Sequence, residues 1–162
     1  MNYLKIDNCN MNNGEGLRVI VWVTGCEHYC PNCFNPETWE INNGSLLDEE
    51  IINYLLECLK QDWCSGITFS GGDPLHPLNR QELFDLCRII KLNYPNKNIW
   101  VYTGYTFEEL NKDYLKDIDV LVDGEFKDEL KDNKAHWVGS TNQRVIDIPL
   151  TLKENKVIIR RT

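Results

Sequence analysis

Three cysteines lie close together in the segment CEHYCPNC, at Cys26, Cys30 and Cys33. Their C-x3-C-x2-C spacing allows three thiolates on one short loop to surround a single metal centre. Iron–sulfur clusters are held by cysteine thiolates, and a four-iron cluster with only three of them keeps one iron open. Because an open coordination position distinguishes a catalytic metal site from a structural one, the spacing predicts a catalytic [4Fe-4S] cluster.

Structural zinc and an electron-carrying ferredoxin-type centre are the alternatives for the same three cysteines. Each requires a fourth ligand, and for zinc the candidates are His28, Cys64 and Cys9. His28 lies between two of the proposed ligands, and the sequence contains no second C-x2-C pair. The spacing favours the open cluster, while a non-catalytic, metal-stabilised module for binding or electron transfer remains an alternative.

Composition predicts a cytoplasmic protein with one domain covering residues 1–162. The net charge of −8 argues against nucleic acid as a partner, because phosphate recognition depends on clustered Lys and Arg. No apolar run is long enough to cross a membrane, and the first ten residues lack the pattern of a signal peptide. The odd number of cysteines, 7, argues against a disulfide framework.

Seven segments have the composition of β-strands. The four clearest are residues 18–24, 66–70, 98–103 and 118–123, and the weaker ones are residues 3–7, 144–148 and 156–159. Because strands here alternate with helices, the sequence predicts an α/β fold with parallel strands. The carboxyl ends of such strands form the site, and here they carry Cys26, the Gly71-Gly72-Asp73 turn, Gly104 and Gly124.

Apolar residues at helical spacing predict a helix over about residues 46–62, with Ser45 and Asp48 as a capping box. A second helix is predicted over about residues 80–93, with Asn79 as its N-cap. A third, shorter helix is expected after Thr106, where Glu109 completes another capping box. Beyond about residue 128 the helical pattern weakens, and an irregular tail is expected.

The cysteine spacing resembles that of the radical S-adenosylmethionine (radical SAM) superfamily, and residues 70–74, SGGDP, are similar to its "GGE" element. The resemblance implies a shortened, partial (β/α) barrel that is open on one side, with helices outside. It implies that Cys26, Cys30 and Cys33 hold the cluster and take part in catalysis. The S-adenosylmethionine contacts that it implies are Gly71, Gly72 and Asp73 for the methionyl amino group, and Asn32, Cys33 and Phe34 for the adenosyl group.

Five further stretches resemble the activating proteins of anaerobic ribonucleoside-triphosphate reductase: residues 25–39, 70–77, 102–110, 121–126 and 139–147. The residue before the third cysteine is commonly aromatic in the superfamily, whereas this chain has Asn32, which fits the narrower family. The resemblance implies an activase that cleaves S-adenosylmethionine reductively, and whose 5′-deoxyadenosyl radical takes hydrogen from a glycine of the reductase. The implied partners are the large catalytic subunit of that reductase and an external flavodoxin-like or ferredoxin-like electron donor. A pyruvate formate-lyase-type activase is the nearest alternative.

Overall fold

The computed structural model describes residues 1–160. Its centre is a seven-stranded sheet in the order β3-β1-β2-β4-β5-β6-β7. Strands β2, β4, β5 and β6 run parallel, whereas β1, β3 and β7 are antiparallel to their neighbours at the two edges. The strand bounds are β1 (Asn2–Asn10), β2 (Arg18–Val23), β3 (Ser45–Leu46), β4 (Gly66–Gly71), β5 (Asn98–Tyr102), β6 (Val120–Asp123) and β7 (Arg144–Asp147).

Three helices, α1 (Glu49–Lys60), α2 (Arg80–Asn93) and α3 (Ile148–Glu154), contribute to one large core with every second residue of the parallel strands. Because side chains alternate between the two faces of a strand, other residues of β5, β6 and β7 form a second, smaller cluster on the other face. In that cluster Trp100 is fully buried and packs against Trp137. The four parallel strands are therefore buried on both faces, as strands of this kind require.

The predicted strands and helices are largely confirmed, and α2 has the predicted bounds. The capping box expected at the start of α1 is wrong. Ser45 belongs to β3, where it pairs with Tyr3, and α1 begins only at Glu49. Asp48 caps this helix alone, because its side chain accepts a hydrogen bond from the backbone N–H of Ile51 at 3.1 Å.

Two other predicted caps have different outcomes. Thr106 and Glu109 do form the expected capping box, although the element that follows, Phe107–Glu109, is a short 3-10 turn. Asn79 does precede α2, but it makes no side-chain capping bond. Its amide instead donates to the carbonyl of Thr24 at 2.8 Å, which ties α2 to the end of β2.

The segment after residue 128 is more regular than the sequence predicted. Strand β7 forms where it was expected, and α3 follows it directly, with the Asp147 side chain capping its start. The strand predicted over residues 156–159 is wrong, since only Ile159 makes an isolated bridge, to Ile146. Across residues 1–160, none of the helices has the length and apolar character needed to span a bilayer.

Candidate active site

The carboxyl ends of the four parallel strands meet at one cavity of about 480 Å³, as the predicted topology requires. Each of these ends contributes residues to the wall. Of the residues predicted for the site, the cavity is lined by Cys26, Cys30, Cys33, Phe34, Gly71, Gly72 and Asp73. The three cysteines and the glycine turn that follows β4 therefore line the same cavity.

The cysteine loop follows β2 and is held at its base by backbone hydrogen bonds. Cys26 N–H donates to the carbonyl of Trp39 at 3.0 Å, and Cys33 N–H donates to that of Cys30 at 3.1 Å. Tyr29 and Asn32 have left-handed backbone conformations, with φ of 50° and 58°. Non-glycine residues rarely adopt this region, and its use on both sides of Cys30 bends the loop tightly enough for the three thiols to face one cavity.

Gly71 and Gly72 stand where the backbone of β4 approaches the cysteine loop. Gly71 has φ of +99°, a conformation that side chains disfavour. A Cβ on Gly72 would lie 2.8 Å from the carbonyl oxygens of both Gly25 and Thr38. This close packing fixes the glycine turn against the base of the loop and leaves its backbone uncovered on the cavity side.

The carboxylate of Asp73 is buried and fully engaged by donors within the protein. One oxygen accepts from Leu75 N–H at 2.8 Å, and the other accepts from Gly104 N–H at 3.0 Å. The hydroxyl of Thr103 donates to the same carboxylate at 2.8 Å. Asp73 thus joins the end of β4 to the end of β5, and its contact with a methionyl amino group stays a prediction.

His28 connects the cysteine loop to two of these strand ends, a role that the sequence analysis did not assign. Its Nε2 lies 2.7 Å from an Asp73 oxygen, and its Nδ1 lies 2.9 Å from a Glu125 oxygen. The hydrogen bond with Asp73, followed by that with Glu125, raises the pKa of His28 to about 9. A Cβ on Gly104 would come within 2.5 Å of the imidazole, so glycine is required for the ring to fit.

The environments of Cys26 and Cys30 favour the protonated forms of these two thiols. Burial raises the pKa of the Cys26 thiol to about 11, with a smaller contribution from the neighbouring Asp73. Burial followed by the charge of Glu125 also raises the pKa of Cys30. Metal ligation requires thiolates, so binding of a cationic cluster would displace protons from these sulfurs.

Phe34 and Asn32 lie at the rim of the site. Phe34 is exposed and packs on Phe126, with 4.9 Å between ring centroids, while the Lys131 ammonium lies 5.2 Å from its ring. The side chain of Asn32 donates to Asp128 at 2.7 Å and does not belong to the cavity wall that the described residues form. Any contact of Asn32 with an adenosyl group stays a prediction.

The three thiols fit an iron–sulfur cluster by their chemistry and by the cavity that they share. Within residues 1–160, no three His, Cys, Asp or Glu side chains converge closely enough to hold a single metal ion. In a four-iron cluster the ligands do not need to converge on one ion, because each thiolate bonds a separate iron and the sulfurs therefore stand apart. Three half-buried thiols around one cavity are compatible with this arrangement of ligands.

Trp39 is a second residue of the site that the sequence analysis did not identify. It lines the cavity, and its indole Nε1 is buried. This N–H has no hydrogen-bond acceptor among the residues that the structure describes. Trp100 has a buried indole N–H of the same kind in the core, so the missing acceptor at Trp39 is not particular to the cavity.

Comparisons with known proteins show which family the sequence matches. The sequence matches the family described as 4Fe-4S single cluster domain over residues 12–146. The anaerobic ribonucleoside-triphosphate reductase-activating protein of Enterobacteria phage T4 is 42% identical over 146 residues, which cover 90% of this chain and 93% of the phage protein. Its namesake from Escherichia coli (strain K12) is 42% identical over 153 residues, covering 90% and 97% of the two chains.

This chain belongs to the family of anaerobic ribonucleoside-triphosphate reductase-activating proteins. The family resemblance inferred from the sequence is thus confirmed. Every residue of the cavity wall, from Asn12 to Gln143, falls within the segment that matches the 4Fe-4S domain. The site described above is therefore part of the segment that the family shares.

Sequence reasoning missed His28 and Trp39 for different reasons. For His28 the sequence indicated only a candidate zinc ligand, because its partners Asp73 and Glu125 are 45 and 97 positions away in the chain. Trp39 ends the family stretch at residues 25–39, but nothing in the sequence indicates that its indole nitrogen is unpaired. Asp123, at the end of β6, has a structural role: its carboxylate pairs with Arg144 and accepts a hydrogen bond from the N–H of Phe107.

Proposed function

We propose that this protein activates anaerobic ribonucleoside-triphosphate reductase by reductive cleavage of S-adenosylmethionine at a [4Fe-4S] cluster. The observation that carries the proposal is that Cys26, Cys30 and Cys33 line one cavity with the Gly71-Gly72 turn. Bound there, the cluster and S-adenosylmethionine would supply a 5′-deoxyadenosyl radical that takes a hydrogen atom from a glycine of the reductase. An external flavodoxin-like or ferredoxin-like protein would provide the electron.

In this proposal each wall of the cavity has a separate task. The three thiols bind the cluster and leave one iron free for the substrate. The Gly71-Gly72 turn offers backbone carbonyls to the methionyl amino group, since no side chain covers them. Asp73 connects the end of β4 to the end of β5, and His28 connects the cysteine loop to Asp73. Their hydrogen bonds keep the wall rigid, which favours a defined orientation of the bound substrate.

The charge of the cavity wall supports a cationic or neutral substrate. Among the residues described, no Lys or Arg side chain lines the cavity, while Asp73 and Asp132 do. Phosphate groups are usually held by Arg, Lys or helix N-termini. A sulfonium and an amino group suit this wall better than the polyphosphate of a ribonucleotide, which supports a division of labour in which nucleotides bind to the partner.

We also propose that the sheet is a shortened radical SAM barrel within a single domain over residues 1–162. The support is the run of four parallel strands, whose carboxyl ends form the cavity, with helices packed on the opposite face. A sheet that stops at the antiparallel strand β7 does not close on itself, which leaves an approach for a polypeptide substrate.

The test begins with anaerobic reconstitution with iron and sulfide. The expected result is about four irons per chain and formation of 5′-deoxyadenosine after reduction in the presence of S-adenosylmethionine. Adding the large reductase subunit is expected to produce a glycyl radical doublet in electron paramagnetic resonance. A cluster-containing, reduced protein that forms no 5′-deoxyadenosine would refute the proposal, and a doublet only with pyruvate formate-lyase would overturn the choice of partner.

The ligand assignment has a matched control within the same chain. Cys30→Ala is expected to lose the cluster and all cleavage, because one of three thiolates is removed. Cys58→Ala is expected to keep both, since Cys58 packs against the apolar core from α1. Full iron content in Cys30→Ala would contradict the assignment, and so would loss of the cluster in a well-folded Cys58→Ala.

A further inference from the structure

The cavity lies between two connections that come from opposite sides of the sheet. The β1–β2 loop, residues 11–17, contributes Asn12 and Asn13 to the wall. The segment between β6 and β7 contributes Asp132 and Asn133. Four parallel strands separate β1 from β7. Because the sheet does not close on itself, the gap between its edges is bordered by these two connections.

An ion pair bridges this gap at the amino ends of the parallel strands. The guanidinium of Arg160 binds both carboxylate oxygens of Glu15, at 2.8 and 2.9 Å, shortly before β2 begins. It also donates to Asp147 at 3.1 Å, the residue of β7 that pairs with Val120, where β6 begins. The approach that remains for a large substrate is therefore at the carboxyl ends of the strands, where the three cysteines lie.

The β1–β2 loop is fixed in place by the buried side chain of Arg18. Its guanidinium donates to the carbonyl of Glu15 at 2.6 Å and to the hydroxyl of Thr68 at 2.7 Å. The same hydroxyl donates to the carbonyl of Asn13 at 2.7 Å. Thr68 precedes Gly71 by three positions in β4, which corresponds to about 10 Å along the strand at about 3.3 Å per residue. The loop is therefore set apart from the turn proposed for the methionyl group.

Each connection presents one exposed amide side chain at the cavity. These are Asn12 and Asn133, whereas Asn13 and Asp132 beside them are half-buried. The backbone N–H of Asn12 donates to the Asn10 side chain at 2.7 Å, but neither exposed amide forms a side-chain hydrogen bond in the described part of the chain. Both amides are thus available to a ligand that enters between the two connections.

We propose that Asn12 and Asn133 bind the polypeptide backbone on either side of the target glycine of the reductase. This inference rests on the proposed function and names the residues that recognise its polypeptide substrate. Glycine has no side chain, so a site for it recognises backbone groups. A side-chain amide carries the same kinds of donor and acceptor as a peptide unit, so an asparagine is able to pair with an N–H and a C=O of an extended segment. Two such residues, one from each connection, hold that segment across the cavity.

The test compares two Michaelis constants of the reconstituted protein, that for the large reductase subunit and that for S-adenosylmethionine. Asn12→Ala and Asn133→Ala are each expected to raise KM for the reductase roughly three- to tenfold, which is the effect of losing about one hydrogen bond. The matched control is Asn53→Ala, which removes an exposed amide of α1 that is not part of the described cavity wall, and it is expected to match the wild type. An unchanged KM for the reductase in either cavity variant, or a larger rise in KM for S-adenosylmethionine, overturns the inference.

A second measurement uses the unmutated protein and does not depend on how well a variant folds. Hydrogen–deuterium exchange is followed in the cluster-containing protein with and without the large reductase subunit. Backbone amides of residues 11–13 and 132–135 are expected to exchange more slowly in the complex, while those of α1 keep their rates. Unchanged exchange at both connections in a complex confirmed by gel filtration overturns the inference. Because this measurement omits S-adenosylmethionine, its result stands whatever the cleavage assay shows about the proposed function.

Discussion

Asp73→Asn tests the internal support of the site without requiring a cluster. The native carboxylate is 1% exposed and accepts from two backbone N–H groups, those of Leu75 and Gly104, through different oxygens. An asparagine has one oxygen and one NH₂ group. Whichever way the amide turns, its NH₂ group faces one of these N–H groups, and that donor loses its acceptor.

The magnitude follows from the bonds that are lost. A hydrogen bond to a charged group contributes about 1.5–3 kcal/mol, and a buried donor left unpaired adds a penalty of similar size. Since His28 also loses the charge of its partner, we expect the free energy of unfolding to fall by about 3 kcal/mol. For a chain of this size that corresponds to a decrease in Tm of about 6–12 °C.

The assay is urea unfolding of the cluster-free, reduced protein under anaerobic conditions, followed by circular dichroism. The matched control is Asp128→Asn, which removes the same charge from an exposed side chain whose partner is Asn32. We expect that control to change the free energy of unfolding by less than about 0.5 kcal/mol. If Asp73→Asn cost no more than Asp128→Asn, the view that Asp73 holds the strand ends together would be refuted.

Two further predictions concern ion pairs outside the cavity. Arg144→Met leaves the buried Asp123 without its cation, so it should lower the free energy of unfolding by about 3–5 kcal/mol in the same assay. The control is Glu108→Gln, at the exposed partner of Arg144, which should lower it by less than about 1 kcal/mol. Equal costs would contradict the buried pair. The hydrogen bond with Arg160 lowers the pKa of Glu15. This carboxylate therefore stabilises the fold at a pH above its unfolded pKa of about 4.3. The stabilisation is lost as the pH falls through the lower pKa of the folded state. Glu15→Gln should therefore cost under about 1 kcal/mol at pH 7, and the difference from the wild type should vanish in acid; a difference that persists there would contradict this account.

Local sequence patterns predicted an element correctly where the element depends only on residues close together in the chain. The bounds of α2 follow from its apolar spacing, and the capping box at Thr106 follows from two residues three positions apart. The start of α1 was misplaced because Ser45 has a competing partner in the strand β1. That partner is more than forty positions away, and no local pattern reports it.

The same distinction applies to the site, where some features could be predicted from the sequence and others could not. The cysteine spacing and the Gly71-Gly72 turn could be identified from the sequence, because their chemistry depends on residue type and short spacing. The bonds of Asp73 with His28 of the cysteine loop and with Thr103 at the end of β5 could not, since these partners are distant in the chain.

The sequence by itself determined the family of this protein, its three candidate cluster ligands and the parallel strands that bring them to one edge of the sheet. Only the tertiary structure decided that His28 joins the cysteine loop to Asp73 and Glu125, and that the Trp39 indole is buried without an acceptor. The physical reason is that residue type states which bonds a side chain is able to form. Which of these bonds is satisfied depends on neighbours that folding brings from distant parts of the chain.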